Sequence, residues 1–216
     1  NDQSWYPSGL NTGADYYLIK LDSAGNYLWN RSYGGTGGER LEDAIFDERD
    51  STFLMIGSTT SNDYMVQRQV TTGYNDVWLI KVDLSGNLKW AKVYGDSTID
   101  DGSFGATIRP VDLDKGYVIT YSAEPAPPPT PIPTGYYGRR DIKITIIDSM
   151  GNVHIDKVIG GTSFENDGIC IGIGNKYILG GSTNSGQLSE GITSPARGGG
   201  DWFISYLDYY PLSVPE

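Results

Sequence analysis

The chain has 216 residues, room for one large domain or two small ones, with 29 Gly, 16 Tyr and 12% aromatic residues, a composition that suits short twisted strands and tight turns. Its 16 Lys and Arg face 27 Asp and Glu, for a formal charge of −11, and Arg139-Arg140 is the only adjacent basic pair. That balance repels a phosphate backbone and argues against a nucleic-acid partner, and no apolar run approaches the ~20 residues that span a bilayer.

Residues 1–14 read as the end of a preceding repeat loop. They lack a basic, apolar signal pattern and start without an initiator Met, so upstream sequence is expected to have been removed. From Asp15 onward the chain repeats itself. Four segments align without gaps, Asp15 to Asp22, Asp76 to Asp83, Asp141 to Asp148 and Asp201 to Asp208. Each is β-branched or aromatic at its centre and bounded by Asp, which predicts a strand closed by turn residues.

Three residues past the closing Asp comes Gly25-Asn26, Gly86-Asn87 or Gly151-Asn152, a tight hairpin that needs positive φ. A second strand then carries Trp29 with Tyr33, Trp90 with Tyr94, or Ile155 with Ile159, followed by Gly34, Gly95 or Gly160. Two further strands are expected per copy: Asp43 to Phe46 with Thr52 to Gly57, Phe104 to Ile108 with Tyr117 to Tyr121, and Ile169 to Ile173 with Tyr177 to Gly181. A long polar stretch precedes each next copy, and the middle one holds six of the eleven prolines.

Four antiparallel strands per unit is the composition of a β-propeller blade. The expected architecture is therefore all-β: blade repeats at 15–75, 76–140 and 141–200, the first strand of a fourth at 201–208, and a C-terminal linker at 209–216. Three units and one strand fall short of the ~4 to 8 blades of a ring. The remaining blades are expected from the same longer chain or from a second copy.

The unit Asp-x-Trp-Leu-Ile-Lys-x-Asp-x-x-Gly-Asn-x-x-Trp-x-x-x-Tyr-Gly, best kept at residues 76 to 95, resembles the propeller repeats of large secreted bacterial surface proteins, many of them exported by the type IX system. The likeness runs from Asp15 to Asp208. It implies an extracellular or cell-surface propeller module, and Tyr209 to Glu216 looks like the linker that often precedes a sorting domain in such proteins. The third copy departs from the pattern at Lys143 and Ile155.

Residues with chemistry are few. Cys170 is the single cysteine, between Ile169 and Ile171, and reads as a core thiol. His154 is the single histidine, at a position held by Leu28 and Lys89 in the other copies, which places it at a surface or edge. The repeated strand-start acids Asp15, Asp76, Asp141 and Asp201 read first as turn caps bonding backbone amides.

Asp63, Asp100 and Asp101 set oxygen ligands at short spacing, and calcium is the cation they would take. None lies in an Asp-x-Asp-x-Asp-Gly loop with a distal Glu. Trp29, Trp78, Trp90 and Trp202 recur in the repeats and are expected to pack between blades, whereas Trp5, Tyr64, Tyr74, Tyr136 and Tyr137 lie in the long loops and are the candidate ligand contacts. The expected function is a non-enzymatic module binding glycan or protein, the rivals being a polysaccharide hydrolase or lyase and a structural segment of an adhesin or filament.

Overall fold

The computed structural model describes residues 13–67, 75–95, 99–101, 105–111, 116–125, 137–173, 176–185 and 200–208. Trp5, Tyr74 and Tyr136 lie outside them. Every described element is a strand. The chain divides into two compact units, Asn1–Ser103 and Phe104–Glu216, with the division inside the second sequence repeat.

In the first unit β1 (Tyr16–Leu21) pairs antiparallel with β2 (Tyr27–Tyr33), and β3 (Glu39–Asp47), β4 (Thr52–Thr59), β5 (Asp76–Asp83) and β6 (Leu88–Tyr94) form a four-stranded antiparallel sheet in that order. The short β7 (Ile99–Asp101) follows. In the second unit β8 (Thr107–Pro110), β9 (Tyr117–Pro125), β10 (Asp141–Ile147) and β11 (Val153–Ile159) hydrogen-bond in chain order. There β12 (Glu165–Ile173), β13 (Lys176–Thr183) and β14 (Asp201–Asp208) form a three-stranded sheet.

The sheet and the sequence unit are offset by two strands. Strands three and four of one repeat share a sheet with strands one and two of the next, as β3 and β4 do with β5 and β6. The long polar stretches therefore join hydrogen-bonded neighbours, with Thr59 opposite Asp76 and Thr183 opposite Asp201. In the first unit the chain passes between sheets at the short glycine-rich segment 34–38, which lies between β2 and β3.

The predicted hairpins form for local reasons. Asp83 accepts the Ser85 and Asn87 backbone N–H groups at 2.8 and 2.9 Å, and the Asn87 amide at 2.9 Å. Asp22 and Asp148 repeat the arrangement with Asn26 and Asn152. Gly25, Gly86 and Gly151 have φ of 85°, 79° and 80°, a region closed to most side chains. A register shift sits at the same place in each hairpin, after Lys20, Lys81 and Ile146.

Each unit buries a core between two sheets. In the first, Tyr16 and Tyr33 pack against Met55, Trp78, Ile80 and Val82. In the second, Ile142, Ile144 and Ile146 pack with Cys170, Tyr177, Leu179 and Phe203. Burial pushes the Cys170 thiol up to about 12, which fits the core reading, and His154 is exposed at a strand edge, 3.9 Å from Asp148.

Of the four recurrent tryptophans only Trp78 is fully buried. Trp29 and Trp90 are half-buried, and Trp202 is 76% exposed, which corrects the expectation that all four are core. The second strand of each hairpin is the outer strand of its sheet, covered by fewer neighbours, and the β14 face that carries Trp202 has no sheet against it among the described residues.

Candidate functional site

The strand-start acids do more than end turns. In the first unit Gly34 lies so close to Asp15 and Glu39 that a Cβ there would collide with both carboxyl groups. Glu39 accepts the Gly35 N–H at 2.9 Å and the Thr59 hydroxyl at 2.6 Å. Thr59 in turn accepts the Ser61 N–H at 3.0 Å, and the Ser61 hydroxyl accepts the Gly37 N–H at 2.8 Å.

The second unit repeats the glutamate, threonine and serine bonds of this corner. Gly160 lies against Asp141, Glu165 accepts the Gly161 N–H at 2.8 Å and the Thr183 hydroxyl at 2.7 Å, and Ser185 closes it through its N–H to Thr183 and its hydroxyl to the Ser163 N–H. In both corners the acid that opens strand three also donates its backbone N–H across the sheet junction, Glu39 to the Ala14 carbonyl and Glu165 to that of Arg140. Gly95 likewise lies against Asp76.

The turn-cap reading fits Asp141, which accepts the Tyr137 N–H at 2.8 Å. It is incomplete for Asp15, whose carboxyl faces Glu39. Burial, then the charge of Glu39 and a hydrogen bond to it, pushes the Asp15 carboxyl up to about 6. Burial pushes Asp141 up to about 6 as well, with the Tyr137 N–H opposing and Glu165 adding to the rise. A carboxyl poised near neutrality can shuttle a proton, but Asp141 and Glu165 are 0% exposed, and their oxygens face their own backbone and Thr183.

Of the candidate calcium ligands, only the side chain of Asp63 lies among the described residues. Asp63 uses one oxygen for the Thr36 N–H and the other for the Thr36 hydroxyl, both at 2.8 Å, and so ties the glycine-rich turn to the start of the long segment after β4. The side chains of Asp100 and Asp101, on β7, lie outside the described residues. Among the described residues no three His, Cys, Asp or Glu side chains converge as a metal site requires.

Two of the candidate contact aromatics are placed. Tyr64 is 47% exposed with φ of 52°, and Tyr137 is 42% exposed in the other unit. Next to Tyr64 along the chain, Met65 lines a cleft of about 290 Å³ in the first unit, together with Arg31, Ser32, Tyr33, Gly86, Asn87 and Leu88. The buried Nε of Arg31 has no hydrogen-bond acceptor among the described residues, while its guanidinium lies 5.4 Å from the Trp29 ring. Sequence reading missed this cleft because its walls come from β2, the β5–β6 hairpin and the segment after β4, which only the fold brings together. No protein-family model matches the chain, and no curated protein matches it.

Proposed function

We propose that the chain is a non-enzymatic, extracellular module of the β-propeller type that binds glycan through the Arg31–Met65 cleft and the exposed Tyr64 beside it in the chain. The observation that supports this most directly is the composition of the cleft. Apolar walls from Tyr33, Met65 and Leu88 stand beside the polar groups of Arg31, Ser32 and Asn87, and the Arg31 Nε–H is a buried donor awaiting an acceptor. Small-molecule sites combine an apolar lining with a few polar groups in this way, and a sugar offers both a C–H face and hydroxyl acceptors.

The hydrolase or lyase reading has less behind it. Of the two acids whose pKa rises, Asp141 is buried and accepts the Tyr137 N–H, and Asp15 faces Glu39 at the matching strand junction. Secretion by the type IX route rests on the repeat resemblance alone.

Glycan-array binding by the purified chain tests the proposal, followed by titration of any hit with the Arg31→Ala and Tyr64→Ala variants. Binding that falls at least tenfold, or about 1.4 kcal/mol, in Arg31→Ala supports the cleft. Binding indifferent to Arg31, or turnover of a polysaccharide abolished by a single carboxylate change, overturns it.

A further inference from the structure

Among the described residues that line the cleft of the first unit, only Arg31 is charged. The fold holds its side chain in place. The stem lies against Gly86, where an added Cβ would come within 2.8 Å of the Arg31 Cγ and 3.0 Å of the Trp29 ring. The guanidinium lies 5.4 Å from the centre of that ring, within cation–π range, and its Nη1 donates to the Asn30 carbonyl at 2.8 Å.

One edge of the guanidinium is left over. With Nη1 bonded to Asn30, the N–H groups of Nε and Nη2 remain, and they run parallel in the guanidinium plane. Nε is buried and has no acceptor among the described residues. Arg40, Arg49 and Arg140 meet the carboxylates of Glu42, Asp47 and Glu124, whereas Arg31 makes no ion pair with a described residue. The acid that acts on this region is Asp83: burial pushes the Tyr33 hydroxyl up to about 12, the charge of Arg31 opposes that rise and the charge of Asp83 adds to it. Both Asp83 oxygens are engaged in their own turn, by Ser85 and Asn87.

We infer that the cleft takes an acidic sugar, a uronic acid whose carboxylate seats on the Nε–Nη2 edge of Arg31 while its ring lies along Tyr33, Met65 and Leu88. This rests on the glycan-binding reading of the same cleft and narrows it. A sugar hydroxyl would satisfy one of the two parallel donors and leave the guanidinium without a counter-charge between apolar walls. A carboxylate presents two oxygens at the spacing of that fork and neutralises it. The Ser32 hydroxyl and the Asn87 side chain, which also line the cleft, can bond the ring hydroxyls. A volume of about 290 Å³ is at the small end of ligand sites, which suits one sugar ring with its carboxylate. The formal charge of −11 opposes an anion only at long range, and exposed charges more than about 8 Å apart are largely screened at physiological salt.

NMR titration of the unchanged chain tests this with methyl glycosides of glucuronic, galacturonic and mannuronic acid, each beside its methyl ester and the matching neutral hexose. One uronate should bind about tenfold tighter than its ester and its hexose. Arg31→Lys keeps the charge and loses the fork, so it should bring that uronate down to the level of the ester and leave the neutral sugars unchanged. The comparison of acid with ester needs only the unchanged chain, so it decides the matter even where the variant fails to fold. A hexose that binds as tightly as its uronate, through Arg31, overturns the acidic-sugar inference and leaves glycan binding standing. Acetate that competes as well as the uronate overturns the sugar, and a sulfated hexose that binds more tightly overturns the carboxylate. Binding of no sugar, acidic or neutral, overturns both readings of the cleft.

Discussion

The Tyr16 hydroxyl donates to the Trp78 carbonyl at 3.0 Å while the two rings lie 4.8 Å apart at 45°, so one residue from each of two sequence repeats forms both the polar and the apolar contact of a sheet junction. Trp78 is 0% exposed. Trp78→Ala is expected to cost about 3–5 kcal/mol, the range for emptying a large buried aromatic site. Trp90→Ala should cost clearly less, because its ring is half-buried on an outer strand. Chemical denaturation of the two variants checks this, and equal losses would refute the assignment of Trp78 as the core anchor.

Stability should fall as pH rises from about 3.8 through about 6. Asp15 and Asp141 titrate at about 6 in the fold against an ordinary 3.8, so between those values the folded chain holds protons that the unfolded chain has released. Their contribution is complete below about 3.8 and is lost as pH rises through about 6. Asp22 and Asp83 behave oppositely. The Asn26 side-chain amide and the Asn87 backbone N–H respectively hold them below the ordinary value, and their contribution is lost as pH drops below about 3.8. The melting temperature should peak between these limits, and the double variant Asp15→Asn, Asp141→Asn should remove the decline on the alkaline side. A melting temperature that climbs steadily from about pH 5 to about pH 7.5 would contradict this.

The buried corner at Glu165 should be sensitive to loss of an acceptor and tolerant of loss of charge. Glu165→Ala leaves the Gly161 N–H and the Thr183 hydroxyl without their carboxylate, at about 1–3 kcal/mol for each buried group so stranded. Glu165→Gln keeps an acceptor oxygen and relieves the repulsion on Asp141, so it should cost less. Denaturant midpoints of the two variants distinguish the cases, and identical values would show that the hydrogen bonds contribute little.

Tyr64 holds a left-handed φ of 52° without being glycine, a strain more often kept at functional positions than at purely structural ones. Tyr64→Gly is therefore expected to leave the melting temperature unchanged or raised, since glycine adopts this φ freely, while weakening glycan binding. Unaltered binding would remove Tyr64 from the contact surface.

Local chemistry determined what the sequence alone could reveal. The hairpin at Asp83 closes through bonds to Ser85 and Asn87, all within five residues, so its place was readable from the Asp-x-x-Gly-Asn spacing. Strand positions followed from the same repeat, and the all-β class and four-stranded antiparallel sheets with them.

Tertiary structure decided everything that depends on a second element. Which four strands share a sheet turns on where the chain crosses, and a repeat reads identically from any starting strand, so the two-strand offset between β3–β6 and the sequence unit left no local mark. The burial of Trp78 and the exposure of Trp202 follow from what lies against each face, not from residue type. The Asp15–Glu39 and Asp141–Glu165 corners join acids 24 residues apart, and the raised pKa of Asp15 and of Asp141 arises only when Gly34 and Gly160 let those two carboxyls approach inside the protein, where water screens them less.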